Sequence, residues 1–294
     1  MKKPPSIKEL RKICQPKHID QTPLARTSRY ISIYITKLFL YTPITPNQIT
    51  LLGALIYMAG ATLFISGSPL MIIIGGLVVR VAYLFDYVDG NVARYRGKAS
   101  PEGDFLDSLV WSIPPVFLFI FLAFGIYQNF PNILVFFIGC AAVMSFLVRN
   151  FVDVAQNSIL LQMILRQGLK DRKNLAWHHD TGFLSKGAAS TIVARLRYPY
   201  HMVDPFIVAA VIDLVLERGF PSIMMPVSIV LVMLTIYTVF LLLDGIARVI
   251  HIVRTRHIQS LYASLSATGT TPDNTTENEE YPPKGLEDVS QHEL

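Results

Sequence analysis

The chain has 294 residues, 52% hydrophobic and 16% charged, and its mean hydropathy of +0.42 excludes an ordinary soluble domain of this size. A net charge of +5 raises the question of nucleic acid, but no basic stripe with interleaved aromatics and no recognised nucleic-acid module is present, so no nucleic-acid partner is expected. Cys14 and Cys140 support neither a disulfide framework nor a zinc site and read as structural.

Residues 1–46 are polar and Lys-rich and lack the short apolar core of a cleavable signal. Within them Tyr30, Ile31, Ile33, Tyr34, Ile35, Leu38, Phe39 and Leu40 form an apolar stripe flanked by Arg29 and Lys37. The stripe reads as an interfacial helix along the cytoplasmic surface, with packing on neighbouring spans as the competing arrangement. Thr45-Pro46-Asn47-Gln48-Ile49-Thr50 then supplies a proline stop and a cap before the first span.

Roughly 17 to 25 apolar residues suffice to cross a bilayer, and six segments qualify: 47–66, 70–93, 105–126, 131–154, 201–217 and 222–244. The expected fold is an all-α integral membrane protein with six transmembrane helices and an N-terminal juxtamembrane amphipathic helix. It divides into an N-terminal segment 1–46, a membrane domain 47–250 and a tail 251–294. From Ser264 the tail turns to Thr, Asn, Glu and Pro and reads as disordered.

Lys and Arg collect in cytoplasmic loops. Nine lie in 1–46, three in 94–102, seven in 155–201 and four from 244 onward, whereas the loops near 67–69, 127–130 and 218–221 share only Arg218. Both termini and the turn after Asp86 are therefore expected on the cytoplasmic side, where the basic excess favours anionic lipid head groups and a pyrophosphate-bearing substrate. The Asn274-Thr275-Thr276 glycosylation pattern falls on that same side and is discounted. Trp177-His178-His179-Asp180, in the 166–200 connection, lacks a third regularly spaced ligand and reads as surface rather than metal site.

The stretch from Asp86 to Trp111 concentrates the chemistry. At about 100° per residue Asp86, Asp89 and Ala93 share one helix face with Gly90 beside them, and Asp107 follows on the next span. Carboxylates converging from adjacent helices suit Mg2+ or Mn2+, which prefer hard oxygen ligands, beside a substrate pyrophosphate. Gly90 and Ala93 lack bulk, so a nucleotide can approach the backbone, and Arg94 is the natural partner of a phosphate oxygen. The plainer alternative is a polar helix end in water, steadied by Arg94, Arg96 and Lys98.

These residues resemble the signature of the CDP-alcohol phosphatidyltransferase family, D-x2-D-G-x2-A-R-x8-G-x3-D-x3-D. Asp86, Asp89, Gly90, Ala93, Arg94, Gly103 and Asp107 match seven of its eight fixed positions, and Trp111 stands at the eighth, an aspartate in the family. Thr45 to Thr50 is similar to the P-N-x-x-T element that opens this span in the family. The resemblance implies attack of an acceptor hydroxyl on a CDP-alcohol, commonly CDP-diacylglycerol, with release of CMP. It implies Asp86, Asp89 and Asp107 as metal ligands, with Gly90, Ala93, Arg94 and Gly103 shaping the nucleotide site, and a homodimer in membrane lipid. The missing aspartate is the family's proposed general base and a contact of its second metal, and Trp111 can do neither. Asp104 lies on the same face but about 10.5 Å away along the axis, leaving Asp153, His201, Asp204 and His251 as unranked replacements.

Charged residues inside spans are functional candidates because hydrocarbon disfavours them. Arg149 and Asp153, at i and i+4, either neutralise each other or leave Arg149, with Asn150, to bind an acceptor phosphate. Arg80 is expected to pair with Asp213. A non-catalytic relative that binds CDP-alcohol or lipid is the main alternative function, and a transporter a more distant one. The acceptor, whether glycerol phosphate, inositol phosphate, serine or another polyol, has no readable motif.

Overall fold

The computed structural model describes residues 5–15, 23–166, 202–219 and 228–255, and every regular element among them is helical. In chain order these are α1 (Ile7–Cys14), α2 (Pro23–Phe39), α3 (Pro46–Thr62), α4 (Pro69–Arg96), α5 (Pro101–Ser112), α6 (Pro114–Asn129), α7 (Ile133–Arg166), α8 (Asp204–Gly219) and α9 (Ile229–Thr255). Five stretches are long and apolar enough to cross a membrane: Pro46–Ser66, Pro69–Arg96, Gly103–Asn129, Ile133–Gln156 and Ile229–Thr255. The chain is a multi-pass membrane protein. The remaining expected span, 201–217, corresponds to α8, whose 16 residues reach about 24 Å, short of the ~30 Å hydrocarbon core.

Local sequence explains most boundaries. Proline opens α3, α4, α5 and α6, where its missing N–H costs no helical hydrogen bond. The cap expected at Thr45 is a full capping box: its hydroxyl accepts from the Gln48 amide at 3.4 Å, and its amide donates to Gln48 Oε1 at 2.9 Å. The expected third span is found as one membrane-length stretch, and within it Pro114 and Pro115 divide α5 from α6 just beyond Trp111. Helix α9 starts later than the expected sixth span and runs on to Thr255, past the boundary at 250.

Helix α4 is the hub, packing against α1, α2, α3 and α8, while α7 packs on α6 and α9. Its crossing with α3 brings backbone onto backbone: a Cβ on Gly75 would lie 2.5 Å from the Gly60 carbonyl oxygen, and one on Gly60 2.8 Å from that of Gly75. Such small-residue contacts drive helix association in lipid, where there is no hydrophobic effect between spans. Tyr57, Phe64, Phe119, Phe146 and Phe206 fill the interior, and Val81, Phe151 and Val253 face outward.

The amphipathic helix α2 presents Tyr30, Ile31, Tyr34 and Leu38 outward, as the expected interfacial face. Its other side is packed, not solvated. Ser32, Ile33 and Thr36 are fully buried, and Asn91 of α4 donates to the hydroxyls of Thr36 (3.1 Å) and Ser32 (3.4 Å). Arg29, expected on the flank of the stripe, is 8% exposed.

The intramembrane charges are paired differently from the sequence expectation. Arg80 meets Asp204 of α8 at 3.4 Å, not Asp213. Asp213 instead caps α9 from outside, accepting from Ser228 Oγ (2.6 Å), Ile229 N (2.8 Å) and Val230 N (3.1 Å). Its carboxylate thus meets otherwise orphaned amides at the positive end of that helix. Asp213→Ala is expected to cost about 1–2 kcal/mol, read as earlier thermal unfolding in detergent, and an unchanged melting curve would refute the cap. Arg149 pairs with Asp244 of α9 at 3.6 Å, and Arg248 bridges Asp244 (3.2 Å) and Asp153, so the i, i+4 pairing of Arg149 with Asp153 is not formed. Contacts between helices outcompete the local pair because α9 brings both a carboxylate and a guanidinium to α7. His178, His179, Asp180, His201 and the tail from 264 lie outside the described residues.

Candidate active site

The site forms where α4 ends and α5 begins. Gly97 takes a left-handed conformation (φ 62°), and the Lys98 amide donates to the Ala93 carbonyl at 3.0 Å, closing α4 sharply. Ser100 caps α5 by accepting from the Gly103 amide at 3.1 Å. This short turn sets Asp107 of α5 beside Asp86 of α4 and brings the charges of both to bear on Asp89.

Asp89 is 6% exposed, and its Oδ2 accepts from Thr50 Oγ1 at 2.6 Å. The Thr of the P-N-x-x-T element therefore anchors a motif carboxylate across 39 residues. In the sequence alone this element is legible only as a helix start. Asp107 Oδ1 is buried with no hydrogen-bond partner, and among the described residues no ion pair reaches Asp89 or Asp107.

Gly90 leaves room for Arg94, whose guanidinium folds back so that a Cβ on Gly90 would meet it at 3.2 Å. Arg94 Nε donates to the Cys14 carbonyl at 2.8 Å and Nη2 to Asn91 Oδ1 at 3.1 Å. The N-terminal helix α1 is thus tied to the motif, with Leu10 and Cys14 buried against Ile33 and with Gln15 donating to the Arg29 carbonyl at 2.7 Å. Burial pushes the Cys14 thiol up, against a smaller opposing pull from Arg94, which suits the structural role read for it. Arg96 grips the end of α2 instead, donating to the carbonyls of Phe39 (3.1 Å), Thr42 (2.8 Å) and Ile44. Gly103 faces the start of α3, where a Cβ would lie 3.5 Å from Asn47 Oδ1.

Trp111 sits one turn beyond Asp107 and is built into the interior. Its ring stacks on Tyr83 of α4 (5.3 Å, 24°) and meets Tyr57 of α3 edge-on (6.3 Å, 73°). A Cβ on Gly53 would lie 3.5 Å from the indole. Among the proposed replacements for the missing aspartate, Asp153 and Asp204 are engaged by Arg248 and Arg80; Asp104, set aside for its level on the helix, is exposed on α5.

Among the described residues, no three His, Cys, Asp or Glu side chains are gathered tightly enough to cage a metal ion. The donor chemistry nevertheless fits a hard divalent cation, since Asp86, Asp89 and Asp107 are neighbouring carboxylates.

Residues 43–170 match the model of the CDP-alcohol phosphatidyltransferase family. Archaetidylinositol phosphate synthase of Pyrococcus horikoshii is 39% identical over 67 residues, 23% of this chain and 34% of that protein, so the match spans about a third of its length. The fold is similar to that of the phosphatidylinositol phosphate synthase of Mycobacterium tuberculosis crystallised with CDP-DAG bound. That likeness has a TM-score of 0.53 and 20% identity, and covers 75% of this chain and 92% of the other.

Proposed function

We propose that the chain transfers a phosphoalcohol group, with phosphatidyl as the group and CDP-diacylglycerol as the donor, to an acceptor hydroxyl and releases CMP. The observation that supports this reading is that Asp86, Asp89 and Asp107 interact with one another across α4 and α5, inside the matched segment. Those three side chains would hold Mg2+ or Mn2+, which supplies neutralisation of the charge developing on the pyrophosphate and on the leaving CMP. Ala93 and Gly103 would shape the nucleotide site at the backbone, and Gly90 admits the Arg94 guanidinium beside it. Arg94 uses two of its five N–H donors on Cys14 and Asn91. The other donors remain for a phosphate oxygen without loss of the α1 anchor. Both termini and the site would face the cytoplasm, in a homodimer surrounded by membrane lipid.

A second reading, a non-catalytic relative that binds CDP-alcohol, is favoured by the placement of Trp111 against Tyr83 and Tyr57. An indole in that position neither accepts a proton nor ligates a cation.

The experiment is CMP release from CDP-diacylglycerol by purified protein in detergent or lipid, with Mg2+ or Mn2+ and a panel of acceptors. Inositol phosphate heads the panel because both relatives are named for inositol phosphate lipids. Metal-dependent release that disappears in Asp107→Ala establishes the transferase. Binding of the CDP-alcohol without release selects the second reading.

A further inference from the structure

Asp107 and Trp111 stand at i and i+4 on α5, so their side chains share one face of the helix. Both carry a buried atom without a hydrogen-bond partner: Asp107 Oδ1, which can only accept when ionised, and Trp111 Nε1, which can only donate. The two side chains lie within interaction range of each other. A donor and an acceptor orphaned one turn apart are complementary, and leaving either unmet in the interior is costly. Rotation of the indole is limited by its stack on Tyr83, its edge contact with Tyr57 and the close approach to Gly53.

We propose that Trp111 is a positioning residue for Asp107: its indole N–H holds Oδ1 from the protein side, leaving Oδ2 for a cation, and the site therefore takes one divalent ion instead of two. This deepens the cation-site reading above and rests on it. Asp86, Asp89 and Asp107 bring three negative charges, which one divalent cation largely neutralises. A second ion would need a further oxygen ligand near Trp111, where α5 offers an indole and Asp104, about 10.5 Å back along the axis, is exposed. Hydrogen-bonded partners that orient metal-ligating carboxylates are worth about 10–100-fold in metal affinity.

The test is a calorimetric titration of the purified full chain in detergent with Mn2+ alone, which needs no substrate and no turnover. Wild type is expected to bind about one equivalent. Trp111→Phe, which keeps an aromatic ring against Tyr83 and loses the N–H, should bind the same number about tenfold more weakly. Trp111→Asp should gain a second equivalent. Two equivalents in wild type would overturn the inference and leave the transferase reading standing. Unchanged affinity in Trp111→Phe would overturn the positioning role. Absence of saturable Mn2+ binding in wild type would overturn the cation site itself, and the wild-type titration decides the ion count and the cation site even where a variant fails to fold.

Discussion

Asp89→Asn is expected to lower metal-dependent CMP release by at least about 10²-fold while the protein still folds. That lower bound follows because losing even a residue that merely orients a ligand costs about 10–100-fold, and Asp89 is assigned as a ligand itself. Asparagine has nearly the same shape and keeps an oxygen to accept from Thr50, whose hydroxyl lies 2.6 Å from Asp89 Oδ2. The substitution therefore removes charge and leaves the α3–α4 contact. Initial rates of CMP release across a Mn2+ titration decide the matter, with a melting curve on the same preparation. A rate within a few-fold of wild type would remove Asp89 from the metal site and with it the proposed reaction.

The second large effect concerns stability. Asp244 and Arg149 have side chains only 4% and 7% exposed, and Arg248 ties Asp244 to Asp153. Asp244→Leu would leave two guanidinium groups facing the single carboxylate of Asp153. Breaking a buried pair from one side costs about 3–5 kcal/mol, whereas replacing both partners with apolar groups is often neutral. Asp244→Leu alone is therefore expected to unfold at clearly lower temperature in detergent, and Arg149→Met in the same chain to recover most of the loss by restoring the Arg248–Asp153 balance. A double variant no more stable than the single one would mean that the charges act separately and that the network is not structural. The same result bears on function, since an Arg149 needed to neutralise Asp244 is not free to be exchanged with an acceptor phosphate.

Much of the site was legible in the sequence because its spacing is local. Asp86, Asp89 and Gly90 lie within two turns of one helix. The Thr45 cap was legible for the same reason. What was not legible depends on partners far along the chain. Thr50 reaches Asp89, Arg94 reaches the carbonyl of Cys14 and Asn91 reaches Thr36, across 39, 80 and 55 residues. No periodicity encodes these meetings. The charge pairs are illegible for a related reason: depth suggests Arg80 with Asp213 and i, i+4 spacing only allows Arg149 with Asp153, whereas the register of α8 and α9 against α4 and α7 selects Asp204 and Asp244. The break before Pro114 was visible as two prolines but had been absorbed into one apolar run, since hydropathy reports length and not backbone hydrogen bonding.

Sequence by itself determined that this is an all-helical membrane protein carrying three motif aspartates and lacking the fourth, because hydrophobic run length and residue identity are properties of the chain alone. Only the tertiary structure decided what stands where that aspartate is missing. Trp111 is held against Tyr83 and Tyr57 with its N–H in the interior beside Asp107, a placement made by the packing of α3, α4 and α5 together. An indole's partners are chosen by contact, and contact between helices is written in no single segment.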